Sequence, residues 1–480
     1  MLERDIFANL SPLDHRYSLS ETAVFDALSA RLSEQAAVRS CARCEIALIK
    51  AHLAERDSLT PVLEKALDTV GENLSPETVY TEEETTKHFI RALVNSLIRL
   101  VPPETAPLVH LGATSADILD TAFSLRLRDA VCEVILPIIR SVERRLCGIA
   151  EREASTPQVG RTHGQHALPI TFGFTMAEYV SRLGKCIPAI EGRVGDLRGK
   201  LSGPVGAYNG LAIIVRDPAA FEARYLGYLR LEASEYSTQL VEPEYVLRLL
   251  LEINAAFGVL ANLADDLRNL QRSEISEVFE QFQSGQVGSS AMPQKRNPWN
   301  SEHVKSLWKA FAPRVVTFFM DQISEHQRDL TNSASQRFVA DYLAGFAFAA
   351  ARMESILAGL HADREGMARN LASAGGKIPG GILAEPAYLL LAESGSSDAH
   401  ERIRRITLDA ESAGISFYQA LRRQPEVLAS ITARLRALGI ADADGFFAHP
   451  ERYSGLAEQK ARDLARKYSG TCGGHVGKPG

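Results

Sequence analysis

The segment between residues 288 and 298, GSSAMPQKRNP, holds the densest group of side chains that could do chemistry. Its glycine and two prolines predict a loop. Lys295 could neutralise a carboxylate or phosphate, and the Asn297 amide could orient it. The hydroxyls of Ser289 and Ser290 could hold or deprotonate such an anionic substrate. Chemistry on an anion is therefore predicted, although a polar surface loop would have a similar composition.

A second segment, GRTHGQHALPITFG at residues 160–173, places His163 between a threonine and a glycine. We expect a loop here, from which the imidazole could reach a substrate and serve as a general acid near neutral pH. His166, three residues further on, would also allow a zinc site. Because no third ligand stands at a suitable spacing, the general acid is the favoured interpretation.

Residues 109–121, VHLGATSADILDT, crowd hydroxyls and carboxylates ahead of a helical pattern. Thr114 and Ser115 could bind an anion there. Taken alone, they are better explained as a cap of the following helix.

Residues 325–337, EHQRDLTNSASQR, carry Arg328, Ser333 and Arg337 at spacings of five and four. On a helix or at its entrance, two forked cations and a hydroxyl could converge on a phosphate. A solvated helix face is the alternative. Near the start of the chain, SPLDHRY contains Arg16 and Tyr17, whose role no local pattern decides.

The composition narrows the class of protein. The chain has 480 residues, with 53 Lys and Arg against 59 Asp and Glu, which gives a net charge of −6. This mild acidity argues against a nucleic-acid or membrane-surface partner. Six cysteines do not suggest a disulfide framework, and Cys41 and Cys44 are expected to be ordinary helix residues. We see no secretory signal and expect a cytoplasmic protein.

Apolar spacings of three and four predict long helices at residues 131–149, 245–270, 306–323, 338–360 and 410–421. The only strand candidate is 212–215. Helices of this length need partners along their apolar stripes, so we expect a bundle that is shared between subunits. The proline-rich 101–107 and glycine-rich 374–381 suggest domains at 1–108, 109–364 and 365–480, the last with a glycine-rich tail.

Together these segments resemble the adenylosuccinate lyase family of the fumarase/aspartase superfamily. Residues 110–121, 160–173 and 288–298 are similar to the three signature regions of the superfamily. Residues 11–17, 236–245 (YSTQLVEPEY) and 327–337 are similar to its nucleotide-handling branch. The resemblance implies an all-α, three-domain protomer whose central bundle of long helices forms a twenty-helix core in a homotetramer. Each active site would be shared between subunits.

The resemblance also implies an activity, namely β-elimination of fumarate from adenylosuccinate to give AMP, and from SAICAR to give AICAR. It implies no cofactor and no metal. By resemblance Ser289 is the base, Ser290 contacts the substrate, and His163 is the general acid.

The remaining assignments by resemblance are binding residues. Those for the succinyl carboxylates are Thr114, Ser115, Lys295 and Asn297, while Gln239 would contact the succinyl or base portion. Those for the phosphate and ribose are Arg16, Tyr17, Lys87, His88, Arg328, Ser333 and Arg337.

Two positions depart from the family pattern. Phe89 stands where the family usually has an aspartate after the pocket histidine, and His303 lies where some members carry an arginine. The elimination chemistry is therefore a safer expectation than the amine product. The alternatives are another fumarate-releasing lyase of the superfamily, such as argininosuccinate lyase or aspartase, and a non-catalytic paralogue of the fold.

Overall fold

A computed structural model describes residues 5–282 and 291–471. In these ranges the chain is mostly helical, and the all-α expectation is confirmed. Two compact units are found. The first unit comprises Met1–Arg140, Lys185–Ala261 and Val304–Arg352, and the second comprises Ser141–Gly184, Asn262–His303 and Met353–Gly480. The division into three domains stays a prediction.

The α-helices, in chain order, are α1 Arg16–Ser20, α2 Thr22–Leu32, α3 Glu34–Glu55, α4 Pro61–Asn73, α5 Pro76–Thr86, α6 Phe89–Ile98, α7 Ser115–Ala130, α8 Leu136–Arg152, α9 Phe172–Gly195, α10 Pro218–Leu229, α11 Glu244–Leu270, α12 Trp299–Phe311, α13 Val315–Met320, α14 Ser333–Arg337, α15 Val339–Ala358, α16 Arg364–Ala372, α17 Ala384–Glu393, α18 Ala399–Ala413, α19 Phe417–Arg422, α20 Pro425–Ala437, α21 Ala443–Ala448 and α22 Ala457–Thr471. A π-helical segment, Val131–Ile135, lies between α7 and α8. Short 3₁₀ helices lie at Ile6–Ala8, Pro12–Asp14, Pro103–Leu108, Leu211–Ile213, Ala312–Arg314, Gly381–Leu383 and Pro450–Tyr453.

The described strands form two-stranded ladders. β1 (Pro157–Thr162) pairs antiparallel with β2 (Gln165–Thr171). β3 (Arg198–Gly199) pairs in parallel with β4 (Glu232–Ala233), and β5 (Val278–Phe279) pairs antiparallel with β6 (His361–Ala362).

The predicted helices at 131–149, 245–270 and 338–360 are confirmed. Two others are interrupted. Gly414 takes a left-handed backbone that ends α18, and Ser416 then caps α19. The helix predicted at 306–323 breaks at Pro313 in a 3₁₀ turn, because proline cannot continue the hydrogen-bond ladder.

One local expectation is wrong, and one pair of strands carries no prediction. The strand predicted at 212–215 is not formed, because the backbone turns there into the 3₁₀ helix Leu211–Ile213. The loop predicted at His163 is present as the two-residue turn His163–Gly164, but the β1–β2 hairpin on either side of it is not anticipated. The glycines that favoured a loop instead serve the hairpin's turn and an irregularity in its register.

The first unit is built around α3. Ser33 is the N-cap of this helix, and its Oγ accepts a hydrogen bond from the Ala36 N–H. Along α3 nearly every residue after Arg39 is buried, against α4, α7 and α10. Cys41 and Cys44 lie there as ordinary helix residues, as expected. Burial raises the pKa of the Cys41 thiol to about 12, so it has little thiolate character.

The second unit has its own apolar core, formed mainly by α17, α18, α19 and α20. Phe417, Leu421 and Ile431 are fully buried within it. Val159 of β1 belongs to the same core. The hairpin is therefore held by apolar packing at its base, and its tip extends away from that contact.

Helix α11 is long and apolar enough to cross a membrane by length and composition. More than half of its most apolar window is buried within the protein. A helix in the core of a helical bundle has the same length and apolar composition, so this feature agrees with the predicted bundle.

Glu143 lies in α8 with its side chain fully buried. Within residues 5–282 and 291–471, its Oε2 has no hydrogen-bond partner. Burial raises the pKa of Glu143 to about 8. Since this folded-state pKa exceeds the ordinary value of 4.5, the folded protein retains a proton that the unfolded chain loses.

We therefore predict that stability falls as the pH rises between these two pKa values. Glu143 should account for about 1.4 kcal/mol of unfolding free energy per pH unit. Glu143→Gln should remove this slope, as measured by denaturant unfolding from about pH 5 to pH 8. Glu365→Gln, at an exposed position, is the control and should leave the slope unchanged. Parallel pH profiles for Glu143→Gln and the wild type would contradict the prediction.

Candidate active site

His163 lies at the tip of the β1–β2 hairpin. Thr162 pairs with Gln165, so His163 and Gly164 form a two-residue turn. Both turn residues have left-handed backbones, with φ of 56° and 72°. Positive φ at both positions is typical of type I′ hairpin turns. Glycine adopts this conformation without steric cost, whereas histidine adopts it with strain. The turn holds an exposed imidazole at the end of a rigid ladder, which suits a group that must reach a substrate.

His166 pairs with Arg161 in the same hairpin. Partial burial, followed by the positive charge of Arg161, lowers the pKa of His166 below its ordinary value. Its surroundings therefore favour the neutral imidazole over the charged form.

Of the predicted signature loop, residues 288–298, only 291–298 belong to the described residues. Ser289 and Ser290 lie outside them. The Lys295 N–H donates to the Met292 carbonyl at 3.0 Å, which closes a turn with Pro293 at its second position. Lys295 is exposed and Asn297 is half-buried. Residues 291–298 belong to neither a helix nor a strand, as predicted. This part of the loop exposes its lysine to solvent.

Glu280 holds the end of this loop. Its carboxylate accepts from the Ser301 N–H at 2.8 Å, the Ser301 hydroxyl at 2.6 Å and the Asn300 amide at 2.9 Å. Asn300 and Ser301 lie in the first turn of α12, where a carboxylate is stabilised by the helix dipole. The point at which the loop enters α12 is therefore fixed.

Thr114 occupies the N-cap position of α7, and Ser115 is the first residue of that helix. The Thr114 N–H donates to the Asp117 carboxylate at 2.9 Å. Thr114 therefore caps α7, as the sequence predicts for this segment taken alone.

Asp117 also forms a buried ion pair with Lys200, and both side chains have 0% exposure. The same carboxylate accepts from the N–H groups of Ser202 and Gly203 at 3.2 and 3.3 Å. Asp117 thus joins the start of α7 to a segment more than 80 residues away in the sequence.

The loop before α7 is anchored in a similar way. His110 has a left-handed backbone, with φ of 60°. Its N–H donates to Glu45 at 3.0 Å, and its Nδ1 lies 2.7 Å from the second oxygen of the same carboxylate. Glu45 is fully buried in α3, so this loop is attached to the core of the first unit.

Lys87 and His88 separate α5 from α6, and both are exposed. Lys87 ends α5 in a left-handed conformation. The Nδ1 of His88 accepts from the Arg91 N–H at 3.2 Å, which places the proton of the neutral ring on Nε2. Phe89 turns its side chain against the core of the first unit.

Arg16 and Tyr17 are the first two residues of α1. The Tyr17 ring stacks on Phe348 of α15, with centroids 4.5 Å apart, and Arg16 is exposed. The pKa of Asp341, in α15, is raised mainly by burial and further by the nearby carboxylate of Asp14. The Arg16 segment therefore lies along α15.

Ser333 and Arg337 are the first and last residues of α14, and both are exposed. Their spacing of four places them on one helix face. Arg337 lies two residues before the start of α15, and its positive charge lowers the pKa of Tyr80 of α5, against the larger raising effect of burial. In the first unit, Arg337 is thus near both α15 and α5.

Arg328 has a left-handed backbone, with φ of 74°. Its guanidinium donates to the Gln322 carbonyl at 3.0 Å and to the Ser324 hydroxyl at 2.7 Å. It lines a cavity of about 60 Å³ together with Asp120, whose pKa is raised to about 6 by burial. Arg328 is therefore tied to its own loop, whereas Ser333 and Arg337 face solvent.

Gln239 lies beside this loop, since its N–H donates to the Gln327 carbonyl at 3.2 Å. Two residues on, the Val241 N–H donates to Asp120 at 2.9 Å. The segment around Gln239 therefore connects α7 with the Arg328 loop.

His303 lies one turn into α12, and its ring packs beside Trp299 with centroids 6.0 Å apart. Among the described residues, no group of three or more His, Cys, Asp or Glu could hold a metal ion.

The first unit carries the predicted residues of the phosphate set together with Thr114, Ser115 and Gln239. The second unit carries His163, Lys295 and Asn297. Sequence reasoning missed the side chains that hold these groups, namely Glu45, Lys200 and Glu280, and also Glu277, which accepts from Arg161 of β1 at 2.7 Å. Each acts on a segment distant in sequence, and no local pattern marks it.

The family model described as Lyase matches residues 15–310, and the model described as Adenylosuccinate lyase C-terminal matches residues 324–442. Adenylosuccinate lyase of Pyrococcus abyssi is 31% identical over 461 residues, covering 93% of this chain and 95% of the relative. The Aquifex aeolicus adenylosuccinate lyase is 31% identical over 388 residues, covering 78% of this chain and 84% of the relative.

Solved structures show the same fold at lower identity. A fumarate lyase from Mesorhizobium sp. BNC1 superposes with a TM-score of 0.77 at 22% identity, covering 92% of this chain and 97% of the other. The 3-carboxy-cis,cis-muconate lactonizing enzyme from Pseudomonas putida gives a TM-score of 0.77 at 24% identity with the same coverage.

The buried ion pair beside Thr114 yields a prediction about stability. Lys200→Met should lower the free energy of unfolding by roughly 3–5 kcal/mol, because Asp117 would remain buried without its counter-charge. Lys65→Met, on the exposed surface of α4, is the control and should stay within about 0.5 kcal/mol of the wild type. Denaturant unfolding at matched protein concentration measures both. Equal midpoints for the two variants would show that the ion pair does not anchor the start of α7.

Proposed function

This chain belongs to the adenylosuccinate lyase family of C–N lyases, and we propose that it releases fumarate from adenylosuccinate and leaves AMP. We extend the proposal to SAICAR, which would give AICAR, and place the enzyme in purine nucleotide biosynthesis. The similarity over 461 residues to the Pyrococcus abyssi adenylosuccinate lyase carries the proposal.

In the proposed reaction, Ser289 removes the proton from the carbon next to a succinyl carboxylate. The electron pair left by the C–H bond builds a dianionic aci-carboxylate, which preorganised donors must stabilise. Because serine is a weak base at neutral pH, its hydroxyl requires an electropositive site. The exposed ammonium of Lys295, six residues further along the same loop, supports this assignment.

The C–N bond then breaks, and its electron pair passes to the nitrogen of the leaving nucleotide. His163 would donate a proton to this nitrogen, so the products are fumarate and the neutral amine of the nucleotide. The exposed imidazole at the tip of a fixed hairpin supports this role.

The proposed carboxylate contacts combine side chains with a helix N-terminus. The first turn of α7, at Thr114 and Ser115, presents the positive end of a helix dipole that favours an anion. The full set proposed for the succinyl and base portions is Thr114, Ser115, Gln239, Ser290, Lys295 and Asn297.

The proposed phosphate and ribose contacts centre on the first unit. Arg337 precedes α15, along which the Arg16 segment lies, and its charge acts on α5, which ends beside His88. The proton on His88 Nε2 could be donated to a phosphate or ribose oxygen. The full set is Arg16, Tyr17, Lys87, His88, Arg328, Ser333 and Arg337.

We further propose a cytoplasmic homotetramer with active sites shared between subunits, without a nucleic-acid or membrane partner. Large apolar side chains along residues 316–338 support assembly, since this short stretch exposes Val316, Phe319, Met320, Ile323, Leu330 and Phe338. Such a surface is typical of an interface. The domains at 1–108, 109–364 and 365–480 are part of the same proposal.

The experiment that tests the function is fumarate release from adenylosuccinate, with SAICAR and argininosuccinate assayed alongside. We expect turnover of adenylosuccinate. Ser289→Ala and His163→Gln should each lower it by about 10²–10⁴-fold, as expected for a lost base or acid. His449→Gln is the matched control, since the imidazole of that histidine is exposed and hydrogen-bonds to the Glu451 carboxylate.

Turnover of argininosuccinate alone would refute the nucleotide substrate and keep the lyase chemistry. Inactivity with all three compounds would refute the proposed reaction, and a non-catalytic role would then be favoured. Wild-type rates in both variants would refute the assigned base and acid.

The phosphate assignment makes a separate prediction for Arg337→Ala. Loss of a charge-assisted hydrogen bond should weaken binding by roughly 1.5–3 kcal/mol, which raises KM about 10- to 100-fold. The value of kcat should change little, because the phosphate is remote from the bond that breaks. Steady-state kinetics with adenylosuccinate measure the split, and Arg466→Ala on the exposed face of α22 is the control. An unchanged KM would remove Arg337 from the site.

A further inference from the structure

A fully buried carboxylate, Glu277, is the meeting point of three side chains in the second unit. Arg161 donates to both of its oxygens, at 2.7 and 3.2 Å, in a forked arrangement. Gln158 donates at 2.7 Å and Asn370 at 2.8 Å. Arg161 and Gln158 belong to β1, the strand that leads into the His163 turn.

Glu277 is itself held by its backbone. Its N–H donates to the carbonyl of Leu270 at the end of α11, and its carbonyl accepts from Asp363 next to β6, both at 2.9 Å. Asn370 of α16 also bonds the Ile275 carbonyl at 2.7 Å. The carboxylate is therefore a fixed point against which β1 is placed.

The shape of β1 is adapted to this contact. Side chains three residues apart in a regular strand point to opposite faces, yet Gln158 and Arg161 reach one carboxylate. The register shifts between Val159 and Arg161, and such bulges twist a strand and redirect its side chains. Gly160 lies at the shift, where an added Cβ would come within 2.9 Å of the Leu168 carbonyl oxygen.

Arg161 is followed by Thr162 and then by the strained His163 turn. A forked arginine–carboxylate pair fixes orientation as well as distance. The Arg161–Glu277 contact is therefore one of the restraints on the direction in which the hairpin tip leaves the core, beside the packing of Val159 at the base.

We infer that Glu277 is a positioning residue for His163, acting through Arg161 and the bulge in β1. The inference rests on the proposed function, in which His163 protonates the leaving nitrogen. It assigns to Glu277 no contact with substrate.

Glu153 is a matched control at the other end of the same hairpin. It is also buried, at 2% exposure, and accepts hydrogen bonds from Arg152, Thr156 and Arg364. Glu153 differs from Glu277 in two ways. Its arginine partners, Arg152 and Arg364, are more than half exposed, and Glu153 lies before the first residue of β1.

The test is a double-mutant cycle of Glu277→Gln with His163→Gln. We expect Glu277→Gln to lower kcat for adenylosuccinate about 10- to 100-fold with little change in KM, since a misplaced catalytic group loses that much. In the His163→Gln background the same substitution should change the residual rate by less than about 3-fold. Glu153→Gln should leave kcat unchanged in both backgrounds.

Should Glu277→Gln fail to fold, Arg161→Lys provides the second variant, because it keeps the charge and loses the fork. The same cycle applies to it. Equal fold-losses in the presence and absence of His163 would overturn the inference, since the effect would then not pass through the imidazole.

Hydrogen–deuterium exchange over residues 158–166 separates this inference from the proposed function. Faster exchange is expected in Glu277→Gln and not in Glu153→Gln. If the wild type turned over none of the three compounds, the proposed function would fail, and the exchange data would still decide whether Glu277 fixes the hairpin. Unchanged exchange in Glu277→Gln would overturn the positioning role.

Discussion

Buried carboxylates hold the polar segments of this protein in place. Glu45, Asp117 and Glu277 are each fully buried, and each accepts hydrogen bonds from a segment far away in the sequence. Breaking such a pair leaves an uncompensated charge and costs roughly 3–5 kcal/mol, so few other arrangements of the segment compete. These carboxylates fix the positions of irregular backbone segments, because apolar packing alone would tolerate small shifts of such segments.

Strained residues persist in this protein because their surroundings hold them in place. Lys87, His163 and Arg328, all proposed to touch the substrate, have left-handed backbones that side-chain-bearing residues rarely adopt. Such strain costs about 1–3 kcal/mol per residue and survives only where the surroundings impose it. For Arg328 the restraint is the pair of hydrogen bonds from its own guanidinium, and for His163 it is the ladder beneath the turn. At these three positions a backbone that is fixed in advance suits a group that must meet a substrate. Left-handed backbones also occur outside the proposed contacts, at Asp57, His110, Tyr208, Arg230 and Ser276, so strain alone does not mark a binding position.

Much of the fold could be predicted from sequence, because long helices carry an unambiguous apolar period, as in α11 and α15. The hairpin was missed since its two-residue turn and its bulge both use glycine, which locally signals a loop. The chemistry-bearing residues could be proposed from motifs, whereas their anchors could not. Nothing near Glu277 in the sequence indicates Arg161, and Lys200 shows no local sign of burial. These pairings are long-range consequences of the packing.

The replacement of the family aspartate by Phe89 can now be considered physically. The Phe89 ring packs against the core of the first unit, so this position contributes apolar contact, and no carboxylate follows His88. The Nδ1 of His88 accepts from the Arg91 N–H, so the ring is held at the start of α6 and its Nε2 remains for a substrate oxygen. In the proposed site His88 would then contribute a directed hydrogen bond through Nε2, next to the positive charges of Lys87 and the arginines.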